Sequence, residues 1–492
     1  MSKSFYITTT LPYVNADPHV GFAMEIIRAD VIARSKKLEG YDVFFNTGTD
    51  EHGQKLFDAA KRESKNVQDY VDGFAERFRG LKDLLDISDD VHFVRTTDDH
   101  HILACQEFWK RCSERGYIYK KVYQAKYCVG CELYKTDSEL NDKGECPIHP
   151  GKPVELIDEE NYFFKFGAFQ QPLLDFYEKN PNFVIPDFRF NEIKSFVSSG
   201  LEDFSISRLA SKMSWGIPVP GDPGHVMYVW FDALVNYIST LGWPENEKQF
   251  NEFWVNGTPT QYCGKDNLRQ QSAMWQAMLM AAGLPNSHQI IINGFLTGDK
   301  GIKMSKSIGN VVNPYDVVKE YGTDALRYFL LREVSAFEDS PFTMERFKEA
   351  YNSGLANGIG NLVSRIMKMA EDNLPEPISE EIPNHITKYI TEKMGVPIRL
   401  YTDALECFDI NMAFNIIVTQ IAMIDKSIQD NKPFSLVKTN KEKGMEEIIK
   451  LVNQLGVIAY LLNPLLPETS KKIQELIRDN KKPETPLFLR KD

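Results

Sequence analysis

A chain of 492 residues is too long for one hydrophobic core, so two to four domains are expected. With 42% hydrophobic and 26% charged residues, the balance is that of a globular protein, and no apolar run has the length of a membrane span. A net charge of −12 argues against a dedicated nucleic-acid binder but is compatible with a local basic face, and seven cysteines, an odd number, argue against a disulfide framework.

Met1-Ser2-Lys3-Ser4 leads straight into a strand, Phe5 to Thr10, without the charged-then-apolar pattern of an export signal, so a cytoplasmic protein is expected. Asp17-Pro18 reads as a helix start, because Asp caps free N–H groups and Pro suits the first helical position. That helix is expected from about Pro18 to Leu38, with Gly40 as its stop, and Asp42 to Thr47 as a short buried strand. The βαβ unit predicts a parallel sheet with nucleotide chemistry at its strand ends. At the strand-to-helix turn, free N–H groups and the helix dipole favour an anion. Gly21 lets a nucleotide approach the backbone there, and His19 can hydrogen-bond phosphate oxygens. Taken alone, His-x-Gly is more often a helix start with a packed histidine.

Residues 116–213 differ in character, with many turns and little helical period, and read as an insertion between two halves of one α/β domain, 1–115 and 214–350. Inside it, Cys128 and Cys131 are separated by two residues, and so are Cys146 and His149, with fourteen residues between the pairs. Two short ligand pairs on facing turns close a tetrahedron of soft donors, which suits one structural zinc ion. The other four cysteines are dispersed and read as packed thiols.

Strand–helix alternation resumes near Met227, and Gln289 to Ile292 is a late buried strand. A Gly-rich loop follows, carrying Lys303, Ser305 and Lys306. Lysines flanking small hydroxyls can neutralise a triphosphate and the charge that builds on departing pyrophosphate. After Tyr351 the pattern is all-helical: Leu355, Ile359, Leu362, Ile366 and Met369 form one apolar stripe, Pro375, Pro377 and Pro383 break the run, and a further helix covers roughly Glu442 to Leu462. Residues 351–492 are expected to be a separate helix bundle.

His19-Val20-Gly21-Phe22 and Lys303-Met304-Ser305-Lys306-Ser307 stand in the order of the HIGH and KMSKS signatures of class I aminoacyl-tRNA synthetases. The second is an unaltered match, while Phe22 replaces the second histidine of the first. Leu11-Pro12-Tyr13, Gly48 to Gly53, Tyr228 to Leu234 and Gly264-Lys265-Asp266 resemble blocks of the methionine-specific branch, and the likeness runs over essentially the whole chain. The resemblance implies a Rossmann-like nucleotide-binding catalytic domain with a zinc-bearing connective insertion, followed by an all-α anticodon-binding bundle. It implies ligation of methionine to tRNA(Met) through an adenylate, with ATP accompanied by Mg²⁺.

By the same resemblance His19, Lys303 and Lys306 are catalytic. Gly21, Gly264, Asp266, Ser305 and Arg208 join them in binding ATP, although for Arg208 a structural ion pair is equally open. Asp50 holds the methionine ammonium, and Leu11, Tyr13, Trp230, Ala233 and Tyr237 wall its side-chain pocket, as suits a polarizable thioether. Gln271 stands where the family often has His, Asn267 where it has Ile, and Leu234 where Pro is frequent. Asn361 and Arg365, four apart on one helix face, and Phe434, where the family commonly has Trp, are the expected anticodon contacts. The chain leaves no room for a C-terminal dimerising domain, so a monomer is expected.

Three rivals are weaker. The leucine, isoleucine and valine enzymes carry a large editing insertion, which this chain lacks, and the cysteine enzyme holds its substrate on zinc, whereas the four ligands here form a closed set. A nucleotidyltransferase without tRNA leaves the helical region unexplained. A noncatalytic relative is favoured only by Phe22 and Gln271.

Overall fold

The computed structural model describes residues 3–131, 133–135, 140–141, 143–151, 154–298, 301, 304, 311–378 and 398–492. They pack as two compact units, the first made of Met1–Asp17, Tyr41–Gly80 and Asp90–Ile292, the second of Pro18–Gly40, Leu81–Asp89 and Asn293–Asp492.

The first unit is built on strands β1 (Ser4–Thr9), β2 (Asp42–Thr49), β3 (His92–Arg95), β4 (Ile118–Cys128), β5 (Leu133–Lys135), β6 (Glu155–Phe164), β7 (Val184–Ile185), β8 (Phe204–Ser205), β9 (Ser207–Leu209), β10 (Pro218–Val219), β11 (Asp222–Met227), β12 (Thr258–Gly264) and β13 (Gln289–Asn293). Six form a parallel sheet in the order β3-β2-β1-β12-β13-β7. The chain moves outward from β1 to β2 and β3 on one side and from β12 to β13 on the other. The direction therefore reverses between β1 and β12, where an open α/β sheet leaves a crevice at its carboxyl ends. Strand residues such as Tyr6, Ile7, Phe45, Ile290 and Ile291 are buried, as a sheet covered on both faces demands.

The expected insertion contains an antiparallel sheet, β5-β4-β6-β8, but it is not short of helix: Gln170–Lys179 and Asp187–Ser198 are both helical. Their apolar faces rest on only a few side chains (Leu173 and Tyr177 in one, Phe190, Ile193 and Val197 in the other), too short a run to dominate a sequence window. Between these helices, β7 joins the main parallel sheet beside β13.

In the second unit, helix α1 (Val20–Leu38) starts two residues later than expected. Its N-cap is His19, while Asp17 pairs with Arg77 instead of capping. Gly40 adopts φ +86 and donates its N–H to the carbonyl of Lys37, so the expected stop is where it should be. Arg28, fully buried, donates to the carbonyls of Leu330, Val334, Ser335 and Ala336. Buried Asp30 accepts from Arg327 at 2.9 Å, from Arg34 at 2.8 Å and from the Ser88 hydroxyl at 2.7 Å. Burial alone would raise the Asp30 carboxyl, but these cations and donors outweigh it and hold it low. Stripping one partner from such a pair costs roughly 3–5 kcal/mol.

The stripe Leu355, Ile359, Leu362, Ile366 and Met369 is buried along a helical run whose first part, Tyr351–Gly360, is π-helical and whose second, Asn361–Asn373, is α-helical. Helices Ile398–Glu406, Ile410–Asn431, Pro433–Thr439, Lys441–Leu462 and Pro467–Asp479 complete the bundle. Among the described residues no helix is long and apolar enough to cross a membrane.

Candidate active site and metal cluster

Directly after β1, Pro12 to Val14 pairs with the segment after β2. Asp50 donates its N–H to the Pro12 carbonyl at 3.0 Å, Val14 donates to the Asp50 carbonyl at 3.2 Å, and Tyr13 faces Asp50 across a parallel bridge. Leu11, Tyr13 and Asp50 thus lie together at the carboxyl ends of neighbouring strands, and Gly264 ends β12 at the same edge, with Lys265 to Asn267 following it. Close packing fixes this loop: a Cβ on Gly48 would meet the Val94 carbonyl oxygen at 1.8 Å.

Beside Asp50, the buried Glu51 carboxylate takes two bonds from Arg95, at 2.7 and 2.8 Å, and one each from Thr49 and Thr97, both 2.6 Å. Arg95 is also paired with Asp72. The indole of Trp215 donates to the Glu51 carbonyl at 2.7 Å. His52 reaches Asp232 at 3.2 Å, and Asp232 sits on the short helix Val229–Ala233 between Trp230 and Ala233. Burial raises the Asp232 carboxyl against the opposing pull of His52. This contact links the Asp50 loop to the helix that bears two of the expected pocket walls. Phe231 anchors that helix, its ring 5.2 Å from Trp109 and 5.9 Å from Phe108.

Tyr237 and Gln271 are buried and bonded to each other: the Gln271 amide donates to the Tyr237 oxygen at 2.6 Å. Gln271 lies in a π-helical turn, Gln270–Met274, a geometry that recurs at functional sites. Arg208 stacks over the Tyr228 ring at 4.2 Å and donates to the Ser207 carbonyl and the Ser205 hydroxyl.

In the second unit, His19 caps α1 by accepting the Gly21 N–H on Nδ1 at 3.0 Å. In the neutral ring this leaves the proton on Nε2. A Cβ at residue 21 would meet the imidazole at 2.7 Å, so glycine leaves room for the capping ring. Phe22 stacks on the His19 ring, centroids 4.3 Å apart and planes 27° from parallel. Lys303, Ser305 and Lys306 lie outside the described residues.

Cys128, at the end of β4, converges with Cys131, Cys146 and His149, their ligand atoms all within 4.8 Å of one another. The Cys131 and Cys146 sulfurs are 3.3 Å apart, and His149 Nδ1 is 3.3 Å from Cys131. Gly130 makes room for the ring, since a Cβ there would meet His149 at 2.4 Å. Burial pushes the Cys146 thiol up, but bonds with His149 and Cys131 outweigh it and bring it down to about 6. Burial and the neighbouring sulfurs push Cys131 up to about 12. A metal held here would require all three thiols to ionise, which its positive charge favours. The four residues could hold a metal ion.

A groove of about 440 Å³ in the helical region is lined by Arg365, Lys368, Met369, Ile428, Phe434 and Lys438, among others. Arg365 pairs with Asp425 at 2.5 Å. Asn361 is exposed at the start of the same helix.

A family model described as tRNA synthetases class I (M) matches residues 5–155 and 148–367. The chain belongs to this family. It is 40% identical over 490 residues to the methionine–tRNA ligase of Thermotoga maritima, covering 97% of this chain and 76% of that protein. Against the methionine–tRNA ligase of Rhizobium meliloti it is 39% identical, covering 97% and 92%. Mycobacterium tuberculosis methionyl-tRNA synthetase in complex with methionyl-adenylate superposes with a TM-score of 0.88 at 37% identity, over 96% of this chain and 94% of that one.

For a class I synthetase of this type, the structure brings Leu11, Tyr13 and Asp50 to one strand edge, Trp230 and Ala233 to one helix, Tyr237 and Gln271 into contact, and Arg365 and Phe434 into one groove. Sequence reasoning missed Arg95 and Asp232, which hold the Asp50 loop, and Gln261, Gln276 and Ser287, which hold Gln271. His52 lies in a quoted block, and its buried partner could have been sought there. The dispersed glutamines carry no comparable signal.

Proposed function

We propose that this chain is a methionine–tRNA ligase in which the methionine carboxylate attacks the α-phosphorus of ATP, expelling pyrophosphate. The terminal ribose hydroxyl of tRNA(Met) then attacks the carbonyl of the methionyl-adenylate and releases AMP. The family membership over nearly the full chain carries this reading. The crevice where the sheet reverses between β1 and β12 supports it.

Asp50 receives the ammonium, and Leu11, Tyr13, Trp230, Ala233, Tyr237 and Gln271 enclose the thioether. Gly264, Asp266 and Arg208 contact the nucleotide, and Gly21 admits phosphate to the backbone. His19 donates Nε2–H to phosphate, with Phe22 as a flat wall that keeps the imidazole in place where the signature has a second histidine. Lys303, Ser305 and Lys306 neutralise the leaving pyrophosphate, and Mg²⁺ accompanies ATP. Chemistry of this kind rests on position and charge rather than on a strong base.

Residues 1–115 and 214–350 are assigned to catalysis, 116–213 to the insertion and 351–492 to the anticodon through Asn361, Arg365 and Phe434. Cys128, Cys131, Cys146 and His149 hold one structural Zn²⁺, because three thiols and an imidazole make a closed soft set. Seven cysteines outside disulfides suit a reducing compartment, and we assign a cytoplasmic monomer.

The test is pyrophosphate exchange into ATP with each amino acid in turn. Exchange with methionine alone is expected, and exchange with another amino acid overturns the pocket assignment. In the same assay Lys306→Ala is expected to lose ~10²–10³ in rate while keeping methionine binding, and near-normal turnover would remove Lys306 from the mechanism.

A further inference from the structure

Three side chains behind Gln271 form a buried hydrogen-bond chain whose direction is decided by the backbone. The Gln276 amide oxygen accepts the backbone N–H of Ser287 at 3.0 Å, and its nitrogen donates to the backbone carbonyl of Gln271 at 2.9 Å. Neither backbone group can exchange donor for acceptor, so the Gln276 amide has one orientation. Its nitrogen also donates to the Ser287 hydroxyl at 3.0 Å. With its oxygen accepting, Ser287 gives its proton to the Gln261 amide oxygen at 2.5 Å. The Gln261 nitrogen then donates to the Gln271 oxygen at 2.7 Å, and the Gln271 nitrogen to the Tyr237 oxygen at 2.6 Å. Gln261, Gln271, Gln276 and Ser287 are each at most 3% exposed, so water does not compete for these bonds.

We propose that Ser287, Gln276 and Gln261 are positioning residues: through Gln271 they form a one-way relay that turns the Tyr237 hydroxyl proton away from Gln271 and toward the side-chain pocket, favouring a thioether there over a methylene. The proposal rests on the reading that Tyr237 walls the methionine pocket. A thioether sulfur is a weak acceptor and a methylene is none. A hydroxyl held as donor therefore separates methionine from norleucine, which has the same length. The relay is neutral throughout, so this preference does not change with pH in the physiological range.

The experiment measures methionine- and norleucine-dependent pyrophosphate exchange with the whole protein. Ser287→Ala is expected to raise the methionine KM about three- to tenfold, the scale of one hydrogen bond, to narrow the methionine/norleucine ratio by the same factor, and to leave kcat and the ATP KM unchanged. Gln261→Met keeps the volume without the amide and carries the same test should Ser287→Ala fail to fold. Gln271→His adds a readout that a merely structural role would not move. A protonated imidazole offers a donor where Gln261 already donates, so the methionine KM should rise as pH falls from 8 to 6. Adding Ser287→Ala frees Gln261 to turn and should remove that step. A pH step equal in both variants, or an unchanged methionine KM in Ser287→Ala and Gln261→Met while Tyr237→Phe raises it, overturns the relay and leaves the pocket reading standing. A Tyr237→Phe variant with unaltered methionine KM and norleucine ratio overturns the pocket reading itself.

Discussion

In the candidate active site, buried polar side chains are held by neighbouring polar groups: Glu51 by Arg95, His52 by Asp232, Gln271 by Gln261. Along the helical groove the arrangement is reversed. Phe434 is 48% exposed, and Arg365 and Asp425, its ion-pair partner, keep 35% and 38% of their side-chain surfaces in solvent. A buried network fixes geometry before the ligand arrives and exacts a full desolvation penalty when one member is lost. An exposed groove fixes little, adapts to a large polyanion, and gives or loses affinity in small, salt-sensitive steps. The two regions should therefore respond to single substitutions on different scales.

The largest effect is expected at Asp50. If Asp50 receives the substrate ammonium as proposed, removing the buried carboxylate strands it, and a truncated buried charge pair costs about 2–5 kcal/mol, or roughly 10²–10³ in kcat/KM for methionine at the middle of that range. Asp50→Ala should show this loss in pyrophosphate exchange with tRNA affinity unchanged in a filter-binding assay. Equal losses in both assays would erase the contrast between the regions.

The helical unit also holds a buried carboxylate, Asp324, and it sharpens the comparison because its task is packing. Its oxygen accepts the Thr469 N–H at 2.6 Å, beside the start of helix Pro467–Asp479. Burial pushes its carboxyl up to about 6, against the pull of Thr469 and Arg327. A raised folded value means that the native state holds the proton longer than the unfolded chain does. The contribution is complete below about pH 4, the unfolded value, and is lost as pH rises to about 6, a change of about 3 kcal/mol. Asp324→Asn keeps an acceptor for Thr469 and removes the titration. The difference between wild-type and variant unfolding free energies should slope between pH 4 and 6 and flatten above. A flat difference throughout would mean that the carboxyl is not desolvated as its burial suggests.

The contrast was only partly legible in the sequence. The parallel sheet follows from apolar runs and a helix between them, and the convergence of the Cys128 to His149 set follows from two short spacings. Both are local patterns. The α1 cap was misread because Asp17 finds Arg77, sixty residues away, while His19, a less usual cap, accepts from Gly21. Gln261, Gln276 and Ser287 leave no periodic trace, since long-range hydrogen bonding between dispersed amides depends on the finished fold. Burial is itself a tertiary property, so the exposure of Phe434 against the burial of Gln271 could not be read from residue type.

Phe434 carries the next expected effect. Stacking a base on an aromatic ring is worth about 1–3 kcal/mol. Phe434→Ala should raise the tRNA KM roughly 5- to 100-fold with methionine-dependent exchange intact, whereas Phe434→Trp should hold or lower it. Raising ionic strength should weaken tRNA binding in every variant and leave the methionine KM nearly constant, because the Asp50 surroundings are buried and the groove is not. A Phe434→Ala variant with ordinary tRNA kinetics would remove the groove from RNA recognition.

The smallest effect distinguishes a groove that waits for RNA from one that merely contains charges. Arg365 is held by Asp425, and RNA that uses the guanidinium must displace that carboxylate or share with it. Exposed ion pairs are worth about 0–1 kcal/mol. Asp425→Asn should therefore strengthen tRNA binding by no more than about fivefold, mostly at low salt, while leaving methionine activation and the melting temperature almost unaltered. Arg365→Ala should weaken binding and abolish the benefit of Asp425→Asn in the double variant. A benefit that survives without Arg365 would assign the gain to general relief of negative charge, and the groove would then be an electrostatic surface without a dedicated guanidinium contact.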